Sequence, residues 1–353
     1  MSSVGTAILA LDDPEQESLS RVALLASGWS VRVFRREERR LDDLQALSPA
    51  SGRGAMVLLD PRRATQLGLR FDAALRLLKA RLPQAAVVIA LSDRERASVL
   101  ANAWATANGA QAVVGRIVRH RLRETSVPLL RAAGSTFDAE RVTHYATALL
   151  GRQDSPAADV AEVAIAAAEA VGADLDGLAR SLADGAVAVT DRRWRMTTYP
   201  LCFTGADATS WIARRLGVAR PQAEQVGRAL QIRGALYHVV GEQPFRDGEF
   251  FFRSTLPSQR VQEIAFNAAL EAVAGPGGAE VANRTWRGLS FPRCFVGDQA
   301  AAAIGRAYRL DFAQAVGMLR AMLELHVFRH VADEHDFYGT GLFYRFGHDV
   351  GAA

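Results

Sequence analysis

Three groups of residues in this chain have types and spacings that could do chemistry. Asp12 and Asp13 directly follow the apolar run TAILAL, and Asp60 ends the run AMVLL. If both runs are strands of one parallel sheet, the three carboxylates gather at the strands' carboxyl ends, where open α/β sheets take their ligands. Arg192, Arg193 and Arg195 surround Trp194, and Arg246 follows in a later loop. Cations interleaved with an aromatic ring suit an anionic lipid headgroup, although a solvated arm of charges needs no ligand. At about 1 kcal/mol per cation near anionic lipid, four would hold the chain only in the millimolar range. His326 and His330 stand one helical turn apart, with His335 and Asp336 following, a spacing found in metal sites.

Several function classes lack their residues. There is no phosphate-cradling glycine loop and no Ser/His/Asp order with supporting turns, so no enzyme is expected. Cys202 and Cys294 are too few for a disulfide framework, which fits a reducing cytoplasm. The amino terminus has neither a basic region nor a long apolar one, and no stretch reaches the roughly 18 apolar residues of a membrane span. Membrane contact would be peripheral, at the inner face. The net charge of +4 is small for 353 residues, and Lys79 is the only lysine, an arginine bias that suits a GC-rich genome.

The carboxy-terminal half is duplicated. Arg192 to Arg253 aligns with Arg284 to Arg345 without a gap, pairing Trp194 with Trp286, Pro200 with Pro292, Cys202 with Cys294, Phe203 with Phe295, His238 with His330 and Phe245 with Phe337. The pairing of His330 with His238, which has no histidine neighbour, favours a structural histidine over a metal ligand. The two cysteines likewise read as small buried residues. Each unit runs from an extended arm, ended by Pro200 in the first copy, through two amphipathic helices to a two-stranded wing, ALYHVV and EFFFRS in the first copy.

The segments TDRRWRMTTYPLCFTGADATSWIARRL, RALQIRGALYHVV and FRDGEFFFR resemble the DEP domain, a small winged-helix-like module. The resemblance covers 176–256 and continues over 257–350 in a divergent copy. There Ala303 replaces the helix residue Trp211, and Leu325 and His326 replace Arg233 and Gly234. It implies a signalling module that binds a protein partner or an anionic membrane surface. A winged helix also suits DNA, but its second helix offers Arg220, Gln222, Gln225, Arg228 and Arg233 in the first copy and only Arg320 in the second.

Residues 1–123 alternate five strand-like runs with helical patterns at 15–27, 39–47, 69–81 and 94–107, predicting an α/β parallel sheet. With Asp12, Asp13 and Asp60 placed as they are, this region resembles a response-regulator receiver domain. That resemblance implies a doubly wound, flavodoxin-like sheet, Asp60 as phosphoacceptor, a magnesium ion held by Asp12, Asp13 and Asp60, and Ser92 at the Ser/Thr position. Arg116 stands where the family has lysine, and Val113 where it has an aromatic switch residue. A planar guanidinium there could pair with Asp60 and close the pocket, so a phosphorylatable receiver and an unmodified pseudo-receiver both fit.

Residues 124–175 suit a helical connector or a pair of dimerisation helices. The expected chain is thus multidomain, α/β plus α+β: a receiver-like sheet, a connector and two DEP-like units. The expected function is a cytoplasmic signalling adaptor of bacterial type, with a DNA-binding transcription regulator as the alternative.

Overall fold

The computed structural model describes residues 4–34, 54–94, 97–119, 122–136, 138–150, 160–240, 243–254, 259–333 and 335–347. The helical pattern expected at 39–47 lies outside them.

The amino-terminal apolar runs form β1 (Gly5–Ala10), β2 (Ser30–Val33), β3 (Gly54–Leu59), β4 (Ala85–Ala90) and β5 (Ala112–Val114), all parallel, in the order β2-β1-β3-β4-β5. Because side chains alternate across a pleated sheet, these runs supply two cores. Ile8, Val57, Leu59, Val87 and Ile89 pack with Phe71, Leu75 and Trp104. Leu9, Met56, Leu58 and Val88 pack with Leu19 and Val22 of the helix Pro14–Ala26. Helices Leu122–Ala132 and Ala139–Leu150 close that second face, burying Leu122, Leu129, Val142 and Ala146 in it. Those apolar faces are therefore covered within the chain.

Each repeat unit is a four-stranded antiparallel sheet with two helices. In the first, β6 (Thr190–Trp194), β7 (Thr197–Thr204), β8 (Leu236–His238) and β9 (Phe251–Ser254) stand in the order β6-β7-β9-β8, with helices Gly205–Leu216 and Arg220–Ile232. In the second, β10 (Ala282–Trp286), β11 (Leu289–Val296), β12 (Phe328–His330) and β13 (Phe343–Phe346) stand in the equivalent order, with helices Gly297–Tyr308 and Phe312–Glu324. Pro200 does not end its arm as expected: β7 runs through it. The ladder to β6 shifts register between Thr190 and Arg192, and Leu201 turns to φ 49. Such a bulge accommodates a residue with no N–H to donate.

The two repeats differ in how their cores are enclosed. The first has its own core of Phe203, Ile212, Val226, Leu230, Phe245 and Phe252, capped by Ala164, Ile165 and Ala168 of the helix Val160–Ala170. The second shares a core with the parallel sheet. Its leading helix, Phe266–Ala274, places Phe266 edge-on to Phe71 at 4.8 Å and to Trp104 at 5.6 Å. The Trp104 indole N–H also donates to the Ile264 carbonyl at 2.8 Å.

Candidate functional site where the domains meet

Asp60 is fully buried at the end of β3 and caps the short helix Pro61–Gln66. One carboxylate oxygen accepts from the Arg62 N–H at 2.8 Å and the other from the Ser92 hydroxyl. Burial pushes this carboxyl above the usual aspartate range, opposed by Ser92, by the nearby His326 and by Arg62. Ser92 thus meets Asp60 as the sequence suggested, but the other two acids serve elsewhere. Asp13 caps the helix Pro14–Ala26, accepting from Glu15 and Gln16 N–H groups, and Asp12 accepts from the Gln66 amide at 2.6 Å.

A magnesium ion needs several free oxygens directed at one point. Among the described residues no three acids or imidazoles form such a group. Arg116 forms no described ion pair with Asp60; its backbone N–H donates to the Arg94 carbonyl. The cation beside Asp60 is Arg62, whose guanidinium pairs with Asp93 at 3.1 Å.

The second repeat stands over this loop. His326 lies 3.4 Å from the Arg62 Nε and 3.8 Å from an Asp93 oxygen. Asp336 receives Arg94 in a two-pronged contact at 2.9 and 3.2 Å and Arg320 at 2.6 Å. Glu324 accepts from the Ser98 N–H at 2.9 Å. Burial works against the charged form of Asp336, but Arg320 and Arg94 outweigh it and bring its pKa down to about 2. Glu324 is pushed up by burial, only partly offset by Arg94 and Ser98. A cavity of about 630 Å³ opens beside these contacts, lined on one side by Asp12, Arg62 and Gln66 and on the other by Arg329, His330 and His335. The first repeat reaches the same junction through Tyr237, whose ring lies 3.9 Å beneath the Arg320 guanidinium.

The basic, aromatic group of the first repeat is divided by the fold. The β6–β7 hairpin presents Trp194 at 57% and Met196 at 89% exposure, flanked by exposed Arg193 and Arg195. Arg192 instead pairs with Asp207 at 2.9 Å. Arg246 lies in the loop whose backbone packs against Gly205, and no described contact links it to the hairpin. On the helix considered for DNA, Arg220 is held by Asp247 and Ser210, and Arg228 by Glu224 and the Phe245 carbonyl. Arg94 and Glu324 escaped sequence reasoning. The usable signal was the change from Ile232 and Pro244 in the first copy to Glu324 and Asp336 in the second.

These two units are DEP domains in tandem: the family model of the Domain found in Dishevelled, Egl-10, and Pleckstrin (DEP) matches residues 186–254 and 278–346. Among similar proteins, the human Phosphatidylinositol 3,4,5-trisphosphate-dependent Rac exchanger 2 protein is 30% identical over 66 residues, 18% of this chain and 4% of that protein. Vacuolar membrane-associated protein IML1 of Coccidioides immitis is 32% identical over 69 residues, 19% of this chain and 4% of that protein. The chain thus spans a small fraction of the length of these curated relatives. Full-length FixJ from B. japonicum, a solved structure, superposes with 17% identity over 66% of this chain and 90% of that chain at a TM-score of 0.25, too loose to define a common architecture. Among the described residues no helix is long and apolar enough to cross a membrane.

Proposed function

We propose that this protein is a non-catalytic signalling adaptor whose first DEP domain docks through the β6–β7 hairpin onto an anionic membrane surface at the cytoplasmic face, while a receiver-like domain positions it. The observation that carries this reading is the hairpin tip, where exposed Trp194 and Met196 alternate with exposed Arg193 and Arg195. Large apolar side chains stranded in water between cations match the boundary between headgroups and acyl chains. Each free arginine adds about 1 kcal/mol near anionic lipid, and burial of a large apolar side chain adds about 1.5–3 kcal/mol. The names of two relatives, one mentioning a phosphoinositide and one a vacuolar membrane, support the same direction. A homodimer would present two hairpins and strengthen the contact by multivalency. A DNA-binding regulator is a weaker reading, because Arg220 and Arg228 are engaged within the domain.

In vesicle sedimentation, the chain is expected to bind phosphatidylserine-containing vesicles and not pure phosphatidylcholine, with Trp194→Ala/Met196→Ala weakening binding by about tenfold or more. Equal binding of the variant would reject the hairpin; no binding of the parent chain to either vesicle would direct the search to a protein partner.

For the receiver-like domain we favour an unmodified pseudo-receiver, because both Asp60 oxygens are engaged and the carboxyl is buried. Incubation with acetyl phosphate and magnesium is expected to leave the intact mass unchanged. A phosphoryl adduct that disappears in Asp60→Ala would restore the phosphoacceptor reading.

A further inference from the structure

We infer that the second DEP domain is a built-in occupant of the receiver-like domain's carboxyl-end crevice, held there by Glu324, His326 and Asp336, and that it controls access to Asp60 and Ser92. Comparison of the two repeats carries this inference. Where the second unit has these three residues, the first has Ile232, Gly234 and Pro244 in the same fold. The DEP fold therefore does not require them. Each makes a contact that leaves its own domain: Glu324 with Ser98, His326 with Arg62 and Asp93, and Asp336 with Arg94.

Local costs point the same way. Gly234 ends its helix at φ 70, a left-handed conformation natural to glycine, whereas His326 adopts φ 52 at the equivalent place. A side chain in that region is strained and persists where surrounding contacts hold it. Glu324 is 5% exposed, and a carboxylate so buried needs partners. Its bond to the Ser98 N–H supplies, from another domain, the acid that commonly completes a helix amino terminus; the Ser98 hydroxyl itself accepts from Ala101. Two residues strained or costly within their own domain thus find their compensation across the interface.

The apolar contact of Phe266 with Phe71 and Trp104 lies on the leading helix, apart from this polar set. It can serve as the hinge while the 323–336 side lifts from the loops that carry Arg62 and Arg94. A ligand or partner can shift such an equilibrium only through different affinity for the open and closed forms. The open form would uncover the crevice around Asp60.

The test restores the first repeat's residues in the full-length chain as Glu324→Ile/His326→Gly/Asp336→Pro and follows amide hydrogen exchange by mass spectrometry. Exchange in peptides spanning 60–66 and 92–98 is expected to rise about tenfold or more, the factor for about 1.4 kcal/mol of lost closure, while protection in β13 stays within about twofold. Unchanged exchange in those peptides overturns the inference. If the triple variant loses protection throughout its own domain, Arg94→Gln, altered only on the sheet side, decides: a selective rise at 60–66 and 92–98 supports the closure, and no rise refutes it.

Discussion

Phe266→Ala is expected to lower stability by about 3–5 kcal/mol, the range for removing a buried phenylalanine ring. Phe266 is 2% exposed and touches Phe71 and Trp104 of the parallel-sheet domain while its own helix packs under the second DEP domain. The loss should therefore appear in both domains together. Chemical unfolding followed by hydrogen exchange would show β4 and β13 losing protection at one denaturant concentration, both shifted downward. A shift confined to β13 would mean that the shared core does not couple the two domains. The first DEP domain, enclosed by its own core and the helix Val160–Ala170, should keep its transition.

Arg320→Ala should destabilise the junction by about 1.5–3 kcal/mol, because it removes one of the two guanidiniums that hold the buried Asp336 carboxylate and leaves Arg94 as the other. The Arg320 side chain is 11% exposed and pairs with Asp336 at 2.6 Å. It also donates to the Phe337 carbonyl at 3.3 Å and covers the Tyr237 ring. Its repeat mate provides the control. Arg228 makes the corresponding bond to the Phe245 carbonyl, but its ion partner Glu224 lies one turn away on the same helix, with both side chains 23% exposed. Such a pair contributes about 0.3–0.5 kcal/mol, so Arg228→Ala should cost much less. Melting temperatures of the two variants measured side by side would check this, and equal losses would show that the pairing of Arg320 with Asp336 contributes little.

The sheet, the duplication and the order of arm, two helices and strand pair were legible because each rests on local periodicity. Alternating apolar runs specify strands, and a gapless repeat specifies a common fold. The site was only half legible. Asp60 and Ser92 meet beyond the strand ends, while Asp13, a magnesium ligand only by the receiver resemblance, occupies the N-cap position ahead of Pro14. An aspartate before a proline-led helix satisfies orphan amides first. The receiver resemblance offers Arg116 as a cation that could pair with Asp60, whereas the cation beside Asp60 is Arg62, on the helix that Asp60 caps. The junction was not readable, because nothing local to Arg94 specifies that Asp336, far along the chain, will meet it. Arg192 illustrates the same gap: its charge suggested a ligand, and Asp207 meets it first.

The core shared between the parallel sheet and the helix Phe266–Ala274 also has a consequence for biosynthesis. During translation the sheet emerges with Phe71 and Trp104 formed but uncovered, and the whole first DEP domain must follow before Phe266 leaves the ribosome. Over that interval an aromatic face lies open to chaperones and to other nascent chains, as in other proteins whose late segments complete early domains. The amino-terminal portion expressed alone would keep that face bare for good, so its aggregation, and its rescue by the separately supplied carboxy-terminal segment, would trace the order in which the molecule is put together.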